Sequence, residues 1–271
     1  MIETLEFLAA PLALSFLLVG IHAYLGLHVL ERDVIFVDIS LSQVAALGTA
    51  LSLFFFSEDN QQGALFFSLA LCLLASLMLA IFRHFEHHLS QEVLIGITYA
   101  FANGALILVA DRLPHGAEHL KEALVGNILY VTWPTVGITA AVYAVVGLIH
   151  YMGRKAFWEA SRGVSKSFRW DFLFYLLFGV VITLSTHHAG VLVVFAILIV
   201  PAALAKRFFG ALRSQLLFAW VAGFIGILTA FLLSYKLDWP AGAGIVTVLT
   251  TLFFLILGGT IIYEAGFGTK A

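Results

Sequence analysis

Long apolar stretches alternate with short polar ones along almost the whole chain. Runs at 7–29, 34–56, 64–82, 93–110, 134–152, 171–186, 191–205, 215–235 and 243–262 are each about the length needed to cross roughly 30 Å of hydrocarbon. They lack the two-residue alternation of an outer-membrane barrel, and a backbone in lipid must satisfy its own amides, so the pattern predicts helices. The expected fold is an all-α integral membrane protein, a polytopic helical bundle of eight or nine transmembrane helices. The count turns on 171–186 and 191–205, which are short and which Gly190 and Pro201 could reduce to a half-span. Glu3 and Glu6 stand where a cleaved leader would be basic, so the first run is expected to be a retained span.

One stretch breaks the apolar pattern at helical spacing. In VIFVDISLSQVAALG (34–48) and just beyond it, Asp38, Ser42, Ala45, Thr49 and Ser52 step by four, three, four and three and fall on one stripe, with Gln43 beside it. Small residues there suit close packing between membrane helices. A charged Asp in mid-membrane costs about 2.5–3.5 kcal/mol on the mildest scales, so Asp38 must face protein or water. Asp38, Ser42, Gln43 and Thr49 are therefore the candidate lining of a substrate path. The structural alternative pairs Asp38 with Arg32 or another cation at the inner end of its helix. Thr98 and Asn103, polar but uncharged, predict hydrogen bonds between helices.

Composition sharpens the class. The 271 residues are 62% hydrophobic and 11% charged, against roughly 45–50% and 25% in soluble domains, and the tiling leaves no room for a soluble domain. The single cysteine, Cys72, lies inside a predicted span and excludes an internal disulfide or a cysteine cluster. Assigning loops alternately places Arg32, Arg83, Arg154, Lys155, Arg162, Lys166, Arg169, Lys206, Arg207, Arg213 and Lys270 on one side and only Arg112, Lys121 and Lys236 on the other. The positive-inside rule makes the first side cytoplasmic, giving an outer N-terminus, an inner C-terminus and nine crossings.

Two loops carry candidate chemistry. The outer segment 111–133 predicts a short helix after Pro114, with His115, Glu118 and His119 at i, i+3 and i+4. A second outer pair, His187 and His188, sits in THHAG. His115, His119, His187 and His188 are thus candidate metal ligands at an external mouth, the alternative being a solvated amphipathic turn. The inner segment 153–170 holds five of the fourteen basic residues around Phe157 and Trp158. It suits either anionic lipid or a cytosolic partner. No phosphate-binding loop is present, so the chain is expected to be a transport subunit and not an enzyme, and ATP would act on another subunit. His84-x-x-His87-His88 and His115-x-x-x-His119 do copy the iron boxes of membrane desaturase-like enzymes. Their order is reversed, however, and the topology puts them on opposite sides of the membrane.

In order along the chain, four stretches resemble the permease subunits of ABC-type importers for zinc, manganese or iron. VIFVDISLSQVAALG (34–48) is similar to the family's second-span signature, in which an Asp and a His stand four apart ahead of a glycine. LVGNILYVTW (124–133) is similar to its extracytoplasmic segment, GVLVVFAILIVPAALAKRF (190–208) to its glycine-to-proline core helix, and DWPAGAGIVTVL (238–249) to the start of its last span. Alignment on Gly48 puts Ile39 at the family's Asp and Gln43 at its His, with Asp38 one residue early. That shift turns the acid by about 100° round the helix.

The resemblance implies a single transmembrane permease domain over 1–271. It implies a homodimer embedded in membrane lipid, cytosolic ATP-binding subunits and an extracytoplasmic metal-binding protein, in a bacterial or archaeal cell (inner) membrane. The cargo would be a divalent cation, with no cofactor on this chain and no nucleic-acid partner. The segment 153–170 holds the coupling position, with Arg154, Phe157, Trp158, Glu159, Arg162 and Gly163 as its residues. Phe157 and Trp158, flanked by Arg154, Arg162 and Arg169, are expected to seat in a groove of the ATPase. The competing class is an ion-coupled secondary carrier.

Overall fold

The computed structural model describes residues 2–56, 60–85, 88–165 and 167–267, without the side chains of 2–6, 61, 266 and 267. His87, Lys166 and Lys270, named above, lie outside the described residues, as do the side chains of Glu3 and Glu6. Among the described residues there is no strand. The helices are α1 (Ile2–Glu31), α2 (Val37–Ser52), α3 (Gln61–Phe85), α4 (Gln91–Ala110), α5 (Gly116–Val125), α6 (Trp133–Met152), α7 (Arg154–Ser161), α8 (Phe168–Ala189), α9 (Val191–Phe208), α10 (Leu212–Leu237) and α11 (Ala241–Phe267). Eight of them, all but α2, α5 and α7, are long and apolar enough to cross a bilayer.

Contacts at the helix ends establish the topology. At one end, Arg32 after α1 meets Asp171 in α8, the Phe36 amide before α2 meets Glu92 in α4, and Lys206 of α9 meets Glu31. Arg207 of α9 also reaches Glu264 of α11 at this end. At the other end, the Asn127 amide donates to the His188 carbonyl. Consecutive long helices and α2 therefore alternate in direction. The first end holds most of the basic residues and is the inner one by the positive-inside rule.

The short helix is not one of those expected. α8 has 22 residues and α9 has 18. Arg169 and Asp171 in the first turn of α8 hide that turn from a reading based on hydropathy. Pro201 sits inside an unbroken α9, as proline can where neighbouring helices cover the freed carbonyl. Gly190, at φ +80°, ends one helix and starts the next without costing either a half-span. α2, by contrast, has 16 residues and is about 24 Å long. The run 34–56 overstates it because Phe54, Phe55 and Phe56 are apolar but lie beyond the helix, exposed at the outer end.

Burial sorts the helices into a centre and a rim. α2 is buried on nearly every side, packed between α3, α4, α8 and α9. α4 buries only Ile95, Thr98, Ala102, Leu106 and Ala110, and α6 only Val136, Thr139, Tyr143, Val146 and His150. Each set is one stripe at helical spacing, and the remaining apolar faces point outward, as helices facing lipid require. Thr98 does not bridge helices as expected; its hydroxyl donates to the Leu94 carbonyl one turn back.

Close approach at the centre depends on glycine. A Cβ on Gly26 would fall 2.0 Å from the Leu198 carbonyl oxygen, and one on Gly48 would fall 2.6 Å from the Ser68 Cα. Neither backbone can retreat, so Gly26→Ala and Gly48→Ala are each expected to destabilise by about 1–3 kcal/mol. Gly96→Ala, with open space around it, is expected to be neutral or to gain up to about 1 kcal/mol from helix propensity. Thermal unfolding of the purified variants in detergent checks all three.

Candidate functional site: an outer cavity above a buried acid

α2 stops at Ser52, and α5 folds over the space left at the outer end. The result is a cavity of about 150 Å³ whose lining includes Thr49 (α2), Ser68 (α3), His119 and Glu122 (α5), and Thr183, Thr186 and His187 (α8). The α2–α3 wall is closely bonded. Thr49 and Ser68 share a hydrogen bond of 2.7 Å, and the Ser68 hydroxyl lies 2.8 Å from the Ala45 carbonyl oxygen. Behind the lining, Ser42 of α2 and Thr186 of α8 pair at 2.9 Å and tie the two helices together.

One turn below Ser42 lies Asp38, fully buried, with the Ser42 hydroxyl as its polar neighbour and no cation among the described residues paired to its carboxylate. Gln43 is 2% exposed and its side-chain carbonyl is without a partner. A charged carboxylate held this way is costly unless a proton or cation neutralises it. The alternative that pairs Asp38 with Arg32 is overturned: Arg32 is bonded to Asp171 at 2.6 Å, and both side chains are buried.

The sequence candidates are thus brought together only in part. Thr49 lines the cavity, Ser42 is bonded to the lining residue Thr186, and Asp38 and Gln43 are buried outside the lining. The stripe does not face one open path, because α2 is surrounded by other helices. Among the histidines, His119 and His187 line the cavity. His188 is half-buried, with its ring centroid 5.1 Å from that of His187. His115 precedes α5 in a left-handed conformation and sits on the surface 3.6 Å from Glu118, away from the lining and outside the expected helical face. Among the described residues no group of three or more His, Cys, Asp or Glu could hold a metal ion. His84 and His88 lie near the inner end of α4 and His115 and His119 near its outer end, about 30 Å apart along a 20-residue helix, so the iron-box reading fails on geometry.

At the inner end the segment 153–170 forms α7. Arg154, Arg162 and Gly163 are exposed, and Glu159 lies 3.9 Å from Lys155. Phe157 departs from expectation. It is fully buried and stacks on His150 with ring centroids 4.1 Å apart, so it anchors α7 to the bundle and is not available to a partner. Trp158 is half-buried, edge-on to His28. Helical periodicity explains the difference: Phe157 shares the inward face with Ala160 and Ser161, while Arg154 and Arg162 point away.

Sequence reasoning missed Asp171, His150 and the buried set of His22, Ser185 and Tyr143. The His22 ring lies 3.1 Å from the Ser185 hydroxyl, and the Tyr143 hydroxyl lies 2.6 Å from it. Asp171 and His150 sit at the edges of their apolar runs, a signal that a count of lysines and arginines does not use, whereas His22 and Tyr143 lie inside theirs.

A bundle of long apolar helices around a short central one, with a cavity at one end, a buried acid beneath it and a basic helix at the other end, is the architecture of a membrane transport subunit of the permease class. Residues 4–259 match the ABC 3 transport family, and the chain belongs to that family. It is 26% identical over 264 residues to the high-affinity zinc uptake system membrane protein ZnuB of Haemophilus influenzae, covering 93% of this chain and 97% of that protein. It is likewise 26% identical over 241 residues to the manganese import system permease protein ScaB of Streptococcus parasanguinis, covering 85% and 82%. The fold is that of PsaBC from Streptococcus pneumoniae, solved in complex with a Fab. The TM-score is 0.74 at 22% identity, over 94% of this chain and 93% of that one.

Because Phe157 is core, Phe157→Ala is expected to lower stability by about 3–5 kcal/mol. Trp158→Ala, at a half-exposed position, is expected to cost less. Comparing thermal unfolding of the two variants tests the assignment, and equal costs would contradict it.

Proposed function

We propose that this chain is the membrane-spanning subunit of an ATP-driven importer for a divalent transition-metal cation, working as a homodimer in a bacterial or archaeal inner membrane. Energy comes from ATP-binding subunits on the cytosolic side, and the cation is delivered by an extracytoplasmic binding protein. One observation carries the reading: in a chain of this family, a fully buried Asp38 with no cation beside it among the described residues lies beneath an outer cavity whose lining includes Thr49, His119, Glu122 and His187. The zinc and manganese in the relatives' names support a divalent cation as cargo.

In this mechanism the cation enters the cavity past His119, Glu122 and His187, where imidazole and carboxylate groups exchange for part of its water. His115 and His188 assist at the rim. Release of the Ser42–Thr186 hydrogen bond lets α2 and α8 part and gives the ion access to α2. Asp38, with Ser42 and Gln43, then offers oxygen ligands too few to strip the ion of all its water, so holding stays weak enough for onward passage. The inner end opens in turn as the ATPases close against α7, where Arg154, Trp158, Glu159, Arg162 and Gly163 form the docking surface.

The test is uptake of zinc and of manganese into proteoliposomes holding the permease–ATPase complex, with the binding protein outside. Uptake is expected to require ATP. Asp38→Asn is expected to lower it roughly tenfold or more, the scale of an interaction worth about 1.4 kcal/mol, while the complex still assembles; Gln43→Ala is expected to have a smaller effect. Alanine at all four of His115, His119, His187 and His188 is expected to reduce uptake only at limiting metal. Normal uptake by both the Asp38 and Gln43 variants would overturn the path.

A further inference from the structure

Ser161 closes α7, and its hydroxyl joins three partners: it donates to the Phe157 carbonyl at 2.9 Å and faces Arg32 Nε at 3.0 Å and His28 Nδ1 at 2.7 Å. A serine hydroxyl has one proton, so the other two groups are the donors, and His28 carries its proton on Nδ1. His28 lies in the last turn of α1 and Arg32 directly follows that helix, four residues on and so on the same side. Next to Ser161, Arg162 lies 4.0 Å from Glu31, which also holds Lys206 of α9 at 3.2 Å.

Arg32 then passes the connection inward. Its guanidinium bonds Asp171 of α8 at 2.6 Å and lies over the Phe174 ring, 4.0 Å from the centroid. The same Asp171 oxygen forms an ion pair with Arg83 of α3, whose Nε is 3.2 Å away. Arg83 in turn donates to the Ala160 carbonyl of α7 and to the Gln91 side chain of α4, and Gln91 donates to the Tyr175 hydroxyl of α8. Side-chain bonds thus run from one end of an eight-residue helix into α1, α3, α4 and α8, with Asp171 taking both arginines.

We propose that Ser161, Arg32 and Asp171 are positioning residues that form the joint between α7 and the membrane helices, so that a displacement imposed on α7 moves α1, α3 and α8 together. The inference rests on the reading of α7 as the docking surface for the ATPase. The geometry favours transmission over simple anchoring. Phe157 already buries α7 against His150, whereas the polar bonds leave its end at Ser161 and reach four separate helices. Coupling needs a contiguous set of contacts held in one arrangement, and a buried, charge-assisted network is directional in a way apolar packing is not.

The experiment uses the permease–ATPase complex in proteoliposomes and measures three quantities for each variant: copurification of the ATPase, ATP hydrolysis, and zinc or manganese taken up per ATP. Ser161→Ala removes the link without stranding a full charge pair, and Asp171→Asn removes the shared acceptor. Both are expected to retain copurification and most hydrolysis while uptake per ATP falls by about tenfold, within the range by which such networks alter coupling. Asp171→Glu, which keeps the charge, is expected to recover most of that loss. Unchanged uptake per ATP in assembled Ser161→Ala overturns the joint while leaving the docking reading intact, and it does so even where Asp171→Asn fails to fold. Loss of uptake and hydrolysis in equal proportion overturns it too, because that is the mark of structural damage. Normal copurification after Arg154→Ala, Trp158→Ala and Arg162→Ala are combined would instead remove the docking reading on which the joint depends.

Discussion

Asp171 shared between Arg32 and Arg83 is the interaction on which the inner half of the structure depends. Three charges are drawn out of water where helices α1, α3 and α8 converge, and the side chains of Arg32 and Asp171 are 0% and 7% exposed. Desolvating such groups offsets most of their attraction, so the cluster adds little net stability over an apolar core. Its effect lies in direction. With one carboxylate between two guanidinium groups, both ion pairs form only when the three helices keep one register, and removing the shared carboxylate would leave buried positive charge without its partner, a change that costs about 3–5 kcal/mol. The face of Phe174 under Arg32 supports the same arrangement from an apolar neighbour.

The outer half is governed by a length. Because α2 is shorter than its neighbours, the bundle has a vacancy at that end, which α5 covers with His119 and Glu122 facing inward. The backbones of the α5–α6 connection and the α8–α9 turn meet at Gly126 and Gly190, both at positive φ. A side chain at either would hold them apart and lift the cover off the cavity. Asp38 therefore lies beneath a chamber of mixed apolar and polar lining while remaining inside a helix enclosed by protein. The enclosure is what lets an acid remain there, since no face of α2 at that depth meets lipid.

Much of this was legible along the chain. The helical class, the count of eight or nine spans and the concentration of basic residues at one end of the bundle all follow from apolar run length and from where lysine and arginine fall. The reading failed where apolarity and helicity diverge. Phe54–Phe56 extended α2 on paper but not in space, and Arg169 and Asp171 shortened α8 on paper alone. It failed again at Phe157, because an aromatic residue among basic ones has the same composition whether it faces a partner or its own core. Only the angle of α7 on the bundle separates the two.

Residue order alone determined that the chain must be a helical membrane bundle, because each apolar run has to satisfy its own backbone in lipid, and that Asp38 must avoid lipid, because an isolated charge there is too costly. It could not pair the charges. Arg32 was equally available to Asp38 and to Asp171, and 139 residues separate it from the partner it takes. Packing made that choice: the path of the chain after α1 and the start of α8 bring Arg32 onto Asp171, while α2 enters the core with Asp38 pointing elsewhere. An ion pair depends on distance in space, which helix periodicity does not encode, so the free acid and the joined one became distinguishable only once the bundle had closed.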